Sequence, residues 1–119
     1  MDERPIILVS DDLKTRSYLR AQLLEEGAKV RAFNTIDDAR HWIYIGGRVP
    51  AMVVVDTWRS RVPPESVKWL RDISDRCPVT FLTGARDRPD PELEEIGETI
   101  RRPISVAEVI RRIRSRSGS

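Results

Sequence analysis

Met52-Val53-Val54-Val55 leaves this chain the fewest choices. Four consecutive apolar residues, three of them β-branched, read as a strand buried on both faces. Asp56 ends the run, and the chain then loosens through Trp58-Arg59-Ser60-Arg61-Val62-Pro63-Pro64. In open α/β sheets, ligands bind outside the C-terminal ends of the strands, which is where Asp56 would lie. Asp is also a common turn residue, so the other strand ends must decide its role.

The rest of the chain alternates in the same way. Ile6-Ile7-Leu8-Val9 predicts a first buried strand, followed by Ser10-Asp11-Asp12 and a helix from Leu13 to Glu26 stopped by Gly27. Lys29-Val30-Arg31-Ala32-Phe33 alternates charged and apolar residues, as a half-exposed edge strand does. Asn34 or Thr35 caps a second helix with Ile36, Ala39 and Ile43 on one face, ended by Gly46-Gly47. Beyond Asp56, Pro63-Pro64 opens a third helix, from Glu65 to Arg76, with Val67, Leu70 and Ile73 as its core contacts. Pro78 to Thr83 predicts a fourth strand closed by Gly84. A charged loop, a short helix from Glu92 to Ile96 and a brief fifth strand, Thr99-Ile100-Arg101, follow. Arg102-Pro103 stops that strand, and Ser105 caps a last helix that buries Val106, Val109, Ile110 and Ile113 and turns Arg111, Arg112 and Arg114 outward. Five strand–helix units imply an α/β, flavodoxin-like doubly wound sheet of five parallel strands in the order 2-1-3-4-5, with helices on both faces.

Length and composition set the outer limits. At 119 residues the chain makes one domain, expected over residues 1–114 with a polar tail at 115–119. Its charge of +2 gives no reason to expect direct nucleic-acid or membrane binding. No apolar run reaches the roughly 18 residues of a membrane span, and no secretory pattern precedes the first strand, so the expected location is the cytoplasm. A lone Cys77 fits a reducing compartment, and with a single His in the chain it reads as a structural residue and not a nucleophile. Trp42 and Trp69 read as partial core, His41 as a surface residue and the Arg-rich last helix as a solvated face.

The strand order gathers the chemistry on one rim: Asp11 and Asp12, then Asp56, then Thr83, then Arg102. At an effective dielectric of about 20, two like charges about 4 Å apart repel by roughly 4 kcal/mol. Clustered carboxylates therefore call for a hard divalent cation, and Mg²⁺ suits carboxylate and water ligands. A hydroxyl and a guanidinium opposite them suit phosphoryl oxygens. This is the equipment for Mg²⁺-assisted phosphoryl transfer onto a carboxylate, with Asp56 as the nucleophile.

The segments Ile7-Leu8-Val9-Ser10-Asp11-Asp12, Val53-Val54-Val55-Asp56, Phe81-Leu82-Thr83-Gly84 and Arg102-Pro103 together resemble the receiver domain of two-component response regulators, over essentially the whole chain. The resemblance implies a signalling module and not an enzyme. A sensor histidine kinase or phosphotransfer protein would pass a phosphoryl group to Asp56, for readout by a downstream protein or a C-terminal effector domain. It implies that Asp11, Asp12, Asp56 and the backbone carbonyl of Trp58 hold Mg²⁺, and that Thr83 is the switch hydroxyl. Two positions depart from the family. Arg102 stands where its lysine precedes a cis-proline, and Thr99 stands where an aromatic residue is usual. Arg102 keeps the charge in a planar fork on a different stem. The alternative reading is a degenerate pseudo-receiver that recognises partners without phosphorylation. A flavin or nucleotide domain of similar fold is disfavoured, because Asp11-Asp12 replaces a phosphate-binding loop after the first strand. A phosphohydrolase would need a second acid where Trp58 stands.

Overall fold

The protein is described by a computed structural model covering residues 4–57, 61–84, 87–101 and 106–116. Five parallel strands form one sheet in the order β2-β1-β3-β4-β5, as the sequence predicts. They are β1 (Ile6–Val9), β2 (Val30–Phe33), β3 (Met52–Asp56), β4 (Val79–Thr83) and β5 (Glu98–Arg101). The helices are α1 (Leu13–Glu25), α2 (Ile36–Gly46), α3 (Pro64–Ile73), α4 (Pro91–Ile96) and α5 (Val106–Arg116).

Strand alternation divides the core. Ile7, Val9, Val53, Val55 and Phe81 face α2, α3 and α4, where they meet Ala39, Leu70, Leu93 and Ile96. Ile6, Leu8, Met52, Val54, Leu82 and Ile100 face α1 and α5, against Leu19, Leu23, Ile110 and Ile113. The central strands β1, β3 and β4 are buried throughout, whereas β2 at one edge is buried only at Val30. Thr35 caps α2 by accepting the Asp38 N–H at 3.1 Å. Gly47 closes that helix at φ 66°, a left-handed geometry that costs glycine little.

Several boundaries differ from expectation. The third helix ends at Ile73, three residues before Arg76. Ser74 Oγ donates to Arg71 O, and Arg76 N–H bonds Ile73 O in a tighter turn. Pro78 also disfavours helical geometry at Cys77. Asp90 starts α4 one residue earlier than expected, accepting the Glu92 and Leu93 N–H groups. The last helix runs to Arg116, into the stretch expected as a polar tail. Arg114 does not simply face solvent, since it donates to the carbonyl and carboxylate of Glu26 and joins α5 to the end of α1. Ser105, expected to cap α5, lies outside the described residues.

The partial-core tryptophans behave as expected: Trp42 and Trp69 are half-buried against the α2–α3–α4 side. Trp42 also lies 6.0 Å from Phe33 and beneath Arg31. His41 is exposed. Cys77 is buried, and burial pushes its thiol from 9.0 up to about 11, so it stays protonated at neutral pH. Among the described residues, no helix is long and apolar enough to cross a membrane.

Candidate functional site

The β1–β3 pairing builds the centre of the site. Ile6 lies beside Met52 and Leu8 beside Val54, so the next residues on that face are Ser10 and Asp56. Both are buried, Ser10 at 1% and Asp56 at 6% exposure. Ser10 Oγ lies 2.9 Å from Asp56 Oδ2 and donates to it, since a carboxylate only accepts. The same oxygen accepts the Asp12 N–H at 3.2 Å. The backbone of Ser10 is equally fixed: its N–H bonds Phe33 O at 3.0 Å, and its carbonyl accepts from Arg16 at 2.7 Å.

Around this pair the predicted site residues separate. Asp11 and Asp56 line one cleft of about 290 Å³, together with Asn34, Thr35 and Arg61. Asp12 does not line it. It stands at the start of α1, and its carboxylate accepts from Thr15 Oγ1 at 2.6 Å. Thr83 lies at the end of β4, 8% exposed, and its hydroxyl finds no hydrogen-bond partner among the described residues. Its strand position continues the line of Val79 and Phe81, whereas Asp56 continues the line of Met52 and Val54. Trp58, Arg102 and Pro103 lie outside the described residues.

Among the described residues no three of His, Cys, Asp and Glu converge as a metal centre. The donor chemistry on the cleft nevertheless fits Mg²⁺, which takes one or two carboxylates and fills its octahedron with water or substrate oxygen. Asp11 and Asp56 are such a pair.

Three features were not read from the sequence. Ser10 as the partner of Asp56 is the first, although a lone hydroxyl residue after Ile6-Ile7-Leu8-Val9 was the available signal. The second is Arg61, an exposed guanidinium on the cleft with the two carboxylates. The third is Arg101, which donates to Asp87 O at 2.6 Å and Gly84 O at 3.4 Å. Asp87 in turn accepts the Gly84 N–H at 2.6 Å, so Gly84 and Asp87 are tied to each other and to β5.

Solved structures share the fold. FixJ-N matches with a TM-score of 0.76 at 22% identity, over 99% of this chain and 96% of that one. A response regulator receiver domain protein from Clostridium thermocellum matches at 0.79 and 16% identity, over 97% and 94%. The response regulator StyR matches at 0.71 and 22% identity; the match covers 97% of this chain but only 60% of StyR. No protein-family model matches the chain, and no curated protein matches it by sequence. The fold is therefore that of response-regulator receiver domains.

Proposed function

We propose that this chain is a phosphoacceptor receiver domain of two-component signalling, with Asp56 as the acceptor. The observation that carries the reading is Asp56 itself: a buried carboxylate at the end of the central strand, on a cleft it shares with Asp11. An oxygen of Asp56 forms a bond to phosphorus. The bond from phosphorus to the donor, a kinase histidine nitrogen or the acyl oxygen of acetyl phosphate, breaks, and the leaving group keeps the electron pair. Asp11 and Asp56 would hold Mg²⁺, joined by Asp12 and the Trp58 carbonyl in the receiver pattern. Bound there, Mg²⁺ supplies positive charge to offset repulsion between carboxylates and phosphoryl oxygens. Thr83 would be the hydroxyl for the transferred group; among the described residues it has no hydrogen-bond partner. Arg102 would supply the cation that the family takes from lysine. The partners follow from this chemistry: a sensor kinase or phosphotransfer protein as donor, and a downstream protein or effector domain as reader.

Incubation with acetyl phosphate and Mg²⁺, followed by intact-mass analysis, tests the reading. One base-labile phosphoryl group is expected, absent in Asp56→Ala and absent when Mg²⁺ is chelated. A specific observation favours the second reading, a phosphorylation-independent interaction module: Asp12 is engaged by Thr15, and no three acids converge among the described residues. A folded wild-type protein that gains no adduct from acetyl phosphate or from a phosphorylated kinase would decide for that module.

A further inference from the structure

We propose that Ser10 is a positioning residue for Asp56, holding the acceptor carboxylate in one orientation for in-line attack. The inference rests on Asp56 being the phosphoacceptor. It starts from the register: pairing of Leu8 with Val54 brings the next in-facing side chain of β1 alongside the acid that ends β3. Directly after β1 the apolar pattern gives way to a hydroxyl that is 1% exposed. A serine has one proton to give. The 2.9 Å contact with Asp56 Oδ2 is shorter than the 3.3 Å contact with the Asp12 carbonyl, so the proton goes to the carboxylate. The Asp12 N–H fills an acceptor position on the same hydroxyl.

Ser10 is itself immobilised. Phe33 O accepts its N–H, Arg16 donates to its carbonyl, and its side chain bridges two strand ends. A donor fixed in this way restricts the rotation of the carboxylate about its Cβ–Cγ bond. With Oδ2 held toward β1, the carboxylate keeps one orientation toward an incoming phosphorus. Such alignment lowers the barrier because the ordering is complete before the donor arrives. The hydroxyl takes no part in bond making. Its hydrogen bond persists when Oδ1 carries the phosphoryl group and Oδ2 has become the carbonyl oxygen of the acyl phosphate.

The test compares Ser10→Thr with Ser10→Val, side chains of nearly equal volume that differ in the hydroxyl. Phosphorylation by acetyl phosphate is followed by intact mass across donor concentrations, with melting curves to establish folding. Wild type and Ser10→Thr are expected to share a maximal rate within about threefold. Ser10→Val is expected to fall about tenfold, equivalent to about 1.4 kcal/mol of barrier, with the half-saturating acetyl phosphate concentration unchanged within about twofold. A merely structural role would slow Thr and Val alike or move the half-saturation point, and either result overturns the proposal. So does a Val variant as fast as the Thr variant. If wild type gains no phosphoryl group, the receiver reading fails and this one falls with it. If wild type is modified and the two variants are equal, only the role of Ser10 is lost.

Discussion

The two halves of the strand-end rim are built differently. On the β1–β3 half, Ser10 has its hydroxyl, N–H and carbonyl all hydrogen-bonded, and Asp56 is held through it. On the β4–β5 half, the hydroxyls of Thr83 and Thr99 are buried without a partner among the described residues, as is that of Thr80 deeper in β4. Arg101 meanwhile ties the adjoining loop. A buried hydroxyl left unbonded costs about 1–3 kcal/mol relative to a satisfied one. Among the described residues, the first half thus has its polar groups paired, while the second keeps buried hydroxyls without partners. The proposed receiver function would use both properties: a fixed nucleophile, and a neighbouring surface whose preferred arrangement a transferred charge could alter.

The largest expected effect comes from breaking the second half alone. At Gly97 an added Cβ would lie 1.8 Å from the backbone oxygen of Val79, with no flexible side chain to give way. Gly97→Ala should therefore force β5 from β4 and destabilise the protein by about 3 kcal/mol, the upper end of ordinary overpacking. Urea unfolding would measure the loss. Hydrogen exchange should rise first at Thr80–Thr83 and Glu98–Arg101 and stay slow in Ile6–Val9. Uniform loss of protection would show that the halves are not separable.

Hydroxyl removal sharpens the contrast, because its sign should differ between the halves. Ser10→Ala takes a donor from a buried carboxylate and should cost about 1.5–3 kcal/mol. Thr80→Val removes a fully buried, unbonded hydroxyl while keeping the volume, and should stabilise by up to about 1 kcal/mol. Denaturation midpoints moving in the same direction would refute the distinction.

The last effect lies just before β4 and shows only at high pH. Burial raises the Cys77 thiol from 9.0 to about 11, with Arg4 pulling weakly the other way. The unfolded chain releases this proton above about pH 9 and the folded one only near 11. In that window the folded state binds more protons, so this contribution to stability is lost as pH rises. A Cys77→Ala variant should lose less stability than wild type between pH 8.5 and about 10.5. The native thiol should also resist alkylation at pH 8 until the protein is unfolded.

Much of this architecture was legible because periodicity is a local property. The unbroken apolar run at Met52–Val55 marked a central strand, and the alternation at Lys29–Phe33 marked an edge. Helix faces such as Val67, Leu70 and Ile73 were equally plain. Helix ends were less so. The stop at Ile73 depends on Ser74 bonding a carbonyl of the preceding turn, a competition that apolar spacing does not register. At the site, Asp56 was legible as an acid closing a buried strand. Its neighbour was not, because Ser10 and Asp56 are 46 residues apart and meet only through the register of β1 on β3.

The sequence by itself determined which segments become strands and helices and, through the doubly wound fold class, the order of the parallel strands. Those outcomes follow from side-chain periodicity and from the right-handed crossover between parallel strands. Only the tertiary structure decided which polar groups are paired. It joined Ser10 to Asp56, turned Asp12 toward Thr15, gave Thr83 no partner among the described residues and set Arg101 against the Gly84 and Asp87 carbonyls. Hydrogen bonds require donor–acceptor distances set to within a few tenths of an ångström, and between residues remote in the chain those distances exist only once the core has closed.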